Sequence, residues 1–70
     1  MNIFGKVFLR KDYINKQNIV IPKNSDGYIV KVYNNGDRDI IFKDNIIGNF
    51  TIEEFEDYCY TIFLYPPLDL

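Results

Sequence analysis

The residue types that most often do chemistry near neutral pH are scarce in this sequence. Among its 70 residues there is no histidine and one cysteine. Without an imidazole there is no Ser-His-Asp or Cys-His relay, no ordinary general base for pH 7 and no histidine metal ligand. Cys59 lies between two tyrosines and follows Glu53, Glu54, Glu56 and Asp57. A reactive thiolate needs positive neighbours, so the expectation is a buried structural thiol. The four acids are the next candidates. Consecutive helix positions diverge and only Glu53 and Asp57, at i and i+4, share a face. Two carboxylates hold a hard cation only with further oxygen ligands. The cluster therefore reads as a solvated helix face or a protein-binding patch. The four glycines are isolated, so no phosphate-cradling loop is present. The sequon Asn49-Phe50-Thr51 is better explained by Thr51 as a helix cap. The sequence thus points to a chain that is not an enzyme, with no cofactor, no metal and no catalytic residues.

Binding is the remaining class of function. Six tyrosines and six phenylalanines are more aromatic rings than a small β interior can hold. Some must sit at the rim, where tyrosine commonly anchors partners. Tyr33, Tyr58 and Tyr65 are the candidates, together with the acids Glu53, Glu54, Glu56 and Asp57. Leu68 joins them because the ending Leu64-Tyr65-Pro66-Pro67-Leu68-Asp69-Leu70 is unusually apolar, and chain ends are normally polar and frayed. Such a tail is expected to dock, on its own domain or on another chain. Charge is divided along the sequence. Residues 1–43 carry eight bases and four acids, a balance of +4, whereas residues 44–70 carry six acids and no base, −6. Two faces attracting each other within one fold explain this, as does an acidic patch for a basic protein. A nucleic-acid site would use Lys6, Arg10, Lys31, Arg38 and Lys43, but the pI near 4.8 argues against it.

Length and hydropathy bound the architecture that positions these residues. Seventy residues make one domain, 1–70, with a thin stability margin. One cysteine permits no internal disulfide, which suits a reducing, cytoplasmic setting. No apolar run approaches the roughly 20 residues of a membrane helix, and no signal-peptide pattern opens the chain. Abundant Asn, Ile, Lys and Tyr suggest AT-rich coding of a bacterium or phage.

Alternation of apolar residues predicts strands over 3–10, 18–21, 28–33, 38–43, 46–50 and 60–65. In the first, Ile3, Val7 and Leu9 share a face and Phe4 and Phe8 share the other. Residues 11–17 read as a loop, and Pro22 stops the second strand. Tyr28, Val30 and Val32 face one way, with Ile29, Lys31 and Tyr33 opposite. Asn35-Gly36 suits the two positive φ angles of a type I′ turn, and the return strand directs Ile40 and Phe42 inward. Thr51-Ile52-Glu53-Glu54 is a capping box opening a helix over 52–58, with Ile52, Phe55 and Cys59 on one side. The order β-β-β-β-(β)-α-β suits a mostly β fold: a small barrel of five to six strands with one short helix near the C-terminus.

The segment Ile21-Pro22 to Gly27-Tyr28-Ile29-Val30-Lys31-Val32-Tyr33, then Asn35-Gly36 and Ile40-Ile41-Phe42, resembles small bacterial SH3-like barrel proteins over roughly residues 18–52. Phe50-Thr51 before a helical turn resembles the end of such barrels. The resemblance implies a protein-binding module: an inhibitor, an immunity-like factor or an accessory subunit. The chain departs from nucleic-acid-binding barrels by its acidic C-terminal third. It departs from peptide-binding SH3 domains by lacking tryptophan and the Ala-Leu-Tyr-Asp-Tyr motif. The expected partner is another protein, with a homo-oligomer or nucleic acid as alternatives and no membrane.

Overall fold

The computed structural model describes residues 2–64. Tyr65, Leu68 and the rest of the expected tail, 66–70, lie outside the described residues.

Period-two alternation places five strands in one antiparallel sheet. These are β1 (Gly5–Leu9), β4 (Asp26–Val32), β5 (Arg38–Ile41), β6 (Ile47–Phe50) and β7 (Cys59–Leu64), in the order β6-β5-β4-β1-β7. A separate hairpin pairs β2 (Tyr13–Ile14) with β3 (Val20–Ile21). One α-helix, α1 (Ile52–Tyr58), links the two edge strands. No helix among the described residues is long and apolar enough to cross a membrane. The fold is therefore mostly β with one short helix, and its hydrogen-bonded sheet is open at β6 and β7.

One sheet face carries the core. Val7, Leu9, Ile29, Ile40 and Phe50 are almost wholly buried, joined by Tyr13, Ile21, Phe42, Phe55 and Cys59. Ile40 and Phe42 point inward as expected. Ile3 instead precedes β1 and is exposed, and the inward row of β1 is Gly5, Val7 and Leu9. A ring cluster fills the centre: Tyr13 stacks on Phe50 at 4.2 Å between centroids and meets Tyr58 edge-on at 5.3 Å. Gly27 is required by this packing, since a β-carbon there would lie 2.6 Å from Ile40 Cγ2 and 2.8 Å from Phe42 Cε1.

Three local expectations are corrected. Residues 11–17 are not simply loop, because β2 begins at Tyr13, whose ring is drawn into the core. The turn at Asn35-Gly36 is not type I′. Gly36 N–H donates to Tyr33 O, Tyr33 N–H donates to Asp37 O, and only Gly36 has positive φ, at 94°. This is a type I turn closed by a left-handed glycine, the three-residue alternative for a hairpin. Two successive left-handed residues occur instead in the β5–β6 connection, at Asp44 and Asn45.

Strand β4 also departs from simple alternation. Ile29 pairs with Ile40, whereas Lys31 pairs with Asp39, so Val30 is an extra residue, a β-bulge. The bulge shifts alternation by one and brings Lys31 to the same face as Tyr28. A second bulge, at Ile62, lies between the pairs Lys6–Phe63 and Val7–Thr61.

The helix follows its sequence closely. Thr51 Oγ1 accepts from Glu54 N–H at 3.1 Å, and Glu54 Oε1 accepts from Thr51 N–H at 3.0 Å. Phe55 and Cys59 face the core, while Ile52 remains partly exposed. The C-terminal end has no basic residue of its own. Arg10 supplies one from the end of β1, donating to Glu56 O at 2.9 Å and Cys59 O at 3.2 Å. That cation suits both the unpaired last carbonyls and the helix dipole.

Candidate functional site

A groove of about 600 Å³ lies where three segments meet: the tip of the β2–β3 hairpin, the β4–β5 turn and the β6–α1 junction. Lys16 comes from the first segment. Tyr33, Asn34, Asn35, Asp37 and Asp39 come from the second, and Asn49, Phe50, Thr51 and Glu54 from the third.

Each segment is held by its own hydrogen bonds. Asn15 is a buried polar residue whose Oδ1 accepts from the N–H groups of Gln17 and Ile19, both at 2.9 Å. Its Nδ2 donates to Ile47 O at 3.2 Å. Tyr13 adds a second tie, its hydroxyl donating to Asn49 O at 2.8 Å. The short β2–β3 hairpin is thereby fixed against β6 with Lys16 at its tip. In the β4–β5 turn, Asn35 Oδ1 accepts from Asp37 N–H and its amide donates to Asp37 Oδ2, both at 3.0 Å.

Asp39 is the hub of the groove. It accepts from the Tyr33 hydroxyl at 2.7 Å and from Asn49 Nδ2 at 2.6 Å. The bond to Asp39 pushes the Tyr33 phenol pKa up, because ionisation would remove the donated proton and set two negative charges together. Tyr33 therefore stays a neutral, oriented ring, 40% exposed, with the Lys31 ammonium 4.8 Å from its centroid. The groove presents an aromatic surface, several amides and the carboxylates of Asp37, Asp39 and Glu54 against the one ammonium of Lys16.

The structure brings two of the sequence-derived candidates, Tyr33 and Glu54, into this groove. Glu54 is also committed to the capping box. Glu53 and Glu56 are exposed on α1 and do not line it. Asp57 forms an ion pair with Lys11 at 2.7 Å, which joins the acidic and basic parts of the chain within the fold. Tyr58 is half-buried, packing on Tyr13 and Phe50 with the Lys11 ammonium 4.6 Å from its centroid. Among the described residues, no three acidic or cysteine side chains gather as metal ligands.

Lys16, Asn34, Asp37, Asp39 and Asn49 are not legible in the sequence as groove residues, because only tertiary folding assembles them. The turn chemistry at Asn34-Asn35-Gly36 was the one available signal. Cys59 is buried, and burial pushes its pKa up to about 12 despite the opposing charges of Arg10 and Arg38. Its thiol stays protonated at neutral pH, the inert condition of a structural cysteine. Arg10 and Arg38 are also occupied within the fold. Arg10 caps α1, and Arg38 lies 4.2 Å from the Phe55 centroid while donating to Gly36 O.

In comparisons with known proteins, no family model, no curated protein and no solved structure matches this chain.

Proposed function

We propose that this chain is a small, non-enzymatic protein-binding module that receives an extended segment of a partner protein in the groove beside Tyr33 and Asp39. The observation that carries this reading is the groove itself: a concavity walled by three separately braced segments, with an oriented aromatic ring in its lining. Preorganised sites of this kind lose little conformational entropy on binding. The surplus of carboxylates over ammonium favours a partner segment bearing lysine or arginine, and such complementarity mainly sets selectivity and encounter rate.

Binding of nucleic acid is disfavoured, because two of the five bases it would use, Arg10 and Arg38, are engaged inside the fold. The finer architecture we propose is an SH3-like barrel. It is supported by the three-strand meander β4-β5-β6, the return of β7 onto β1, and the helical turn that spans from one edge strand to the other. An inhibitor, an immunity-like factor or an accessory subunit of a cytoplasmic bacterial or phage system fits such a module.

Affinity capture from host lysate at near-physiological salt tests the proposal, comparing the wild type with Tyr33→Ala/Asp39→Asn. A stoichiometric protein retained by the wild type and lost by the folded variant is expected. Recovery of no stoichiometric partner, or equal recovery by both, refutes it.

A further inference from the structure

The sheet face opposite the core carries a second surface, and none of its central residues lines the groove. Register places four side chains at the corners of a rectangle on this face: Lys6 beside Tyr28 on one rung, and Phe8 beside Asp26 on the next. Tyr60 extends the second rung, stacked on Phe8 with centroids 5.0 Å apart. Tyr28 and Tyr60 are 38% and 54% exposed, so their rings meet solvent rather than core. The Lys6 ammonium lies 5.5 Å from the Tyr28 centroid. Among the described residues the ion pair is Lys11–Asp57, and it involves neither Lys6 nor Asp26.

We infer that this face associates with the same face of a second copy of the chain. Charge complementarity and symmetry together select this partner. Two identical sheets packed face to face are related by a two-fold axis lying in the interface, and the patch must be complementary to itself. An axis along the Phe8–Tyr28 diagonal sets Tyr28 against Tyr28 and Phe8 against Phe8. The same axis brings Lys6 of each copy to within ~3 Å, in projection, of Asp26 of the other, within reach of the long lysine side chain, so two ion pairs flank an aromatic centre. With strands ~4.8 Å apart and alternate residues ~6.8 Å apart, this axis lies ~35° from the strands. Strands of the two copies then cross at ~70°, towards the orthogonal class of sheet packing. At the centre of this face one lysine and one aspartate flank three rings, and the pair Lys31–Asp39 beyond Tyr28 adds one charge of each sign, a balance that suits its own copy better than it suits a polyanion, which would meet Asp26.

Sedimentation equilibrium of the full chain measures the association. The subunit mass is 8.3 kDa, and a concentration-dependent rise to twice that value is expected. Lys6→Asp sets acids against acids at both ends of the interface, and Asp26→Lys sets lysines against lysines. Each variant is expected to weaken the dimer about tenfold or more, with an unchanged circular dichroism spectrum showing that it folds. An equimolar mixture of the two variants restores both attractive pairs in the heterodimer, as does the double variant with itself. Restored association in the mixture supports the proposed axis. A wild-type monomer throughout overturns the proposal, and so does association that the single variants leave intact or that mixing does not restore. Loss of partner capture by the Tyr33→Ala/Asp39→Asn variant reads the groove alone, so the two surfaces fail or succeed separately.

Discussion

Replacing Asn15 by alanine is the sharpest test of how the groove is built. The side chain is 5% exposed and makes three hydrogen bonds of 2.9, 2.9 and 3.2 Å to backbone groups of Gln17, Ile19 and Ile47. Each is worth about 1 kcal/mol net, which gives about 3 kcal/mol if all three partners were left unsatisfied. Gln17 and Ile19 are exposed residues, so water can replace part of the loss at their N–H groups. Ile47 is likewise exposed, so water can offset part of the loss at its carbonyl too. We therefore take about 2 kcal/mol for the whole change. A domain of this size has roughly 3.5–10 kcal/mol in all, and the midpoint of thermal unfolding falls by about 4–8 °C per kcal/mol. Asn15→Ala is expected to lower Tm by about 8–16 °C, measured by far-ultraviolet circular dichroism. Partner capture should weaken as well, because the hairpin carrying Lys16 loses its tie to β6. A Tm within about 3 °C of wild type would refute the view that Asn15 holds the hairpin in place.

Three further outcomes follow from the same geometry. Thr51→Ala removes one half of the capping box and should cost about 1 kcal/mol in urea unfolding, whereas Glu54→Gln keeps an acceptor for Thr51 N–H and should cost less. Gly36→Ala forces a side chain to φ 94° and sets its β-carbon 3.1 Å from Ile52 Cδ1, a loss of about 1–2 kcal/mol, with Gly36→Asn milder in the same unfolding assay. Alkaline titration should expose Cys59. Its folded pKa is about 12 against an ordinary 9.0, so the stability it contributes is complete below pH 9 and is lost as pH rises through the folded value. Stability measured between pH 8 and 11 should fall less steeply in Cys59→Ala than in wild type, and native Cys59 should react with iodoacetamide only as fast as the fold opens; prompt reaction at pH 8 would contradict its burial.

Local physics made much of the fold readable in advance. The helix begins where Thr51 and Glu54 cap it, because those two residues satisfy each other's backbone without help from the rest of the chain. Strands β5 and β6 follow apolar alternation, β4 does so only as far as its bulge at Val30, and Pro22 ends β3. The errors have physical causes. At Asn35-Gly36 the residue types permit more than one hairpin turn, and the type I form closed by Gly36 is the one adopted. Tyr13 gives no periodic signal, since a two-residue strand spans a single period of alternation with no repeat to reveal it, so its place in the core is not legible in the sequence.

The candidate site divides in the same way. Composition excluded histidine chemistry, and residue type singled out Tyr33 and Glu54, both of which reach the groove. Glu53 and Glu56 were grouped with them by adjacency in the chain, yet successive helix positions diverge and leave these two outside it. The hub, Asp39, looked like one more polar strand residue until the pairing of β5 with β6 set Asn49 beside it and the hairpin returned Tyr33 to it.

What the sequence by itself determined about the Asn35-Gly36 hairpin was that the chain reverses there, since glycine alone adopts positive φ without cost. Its own residues also fixed the capped helix after Thr51 and the absence of imidazole chemistry. Tertiary structure alone decided which side chains share a surface. A single residue of slippage, at Val30 in β4 or at Ile62 in β7, changes which face the following residues occupy, and that depends on the partner strand rather than on the residue's own neighbours in the chain.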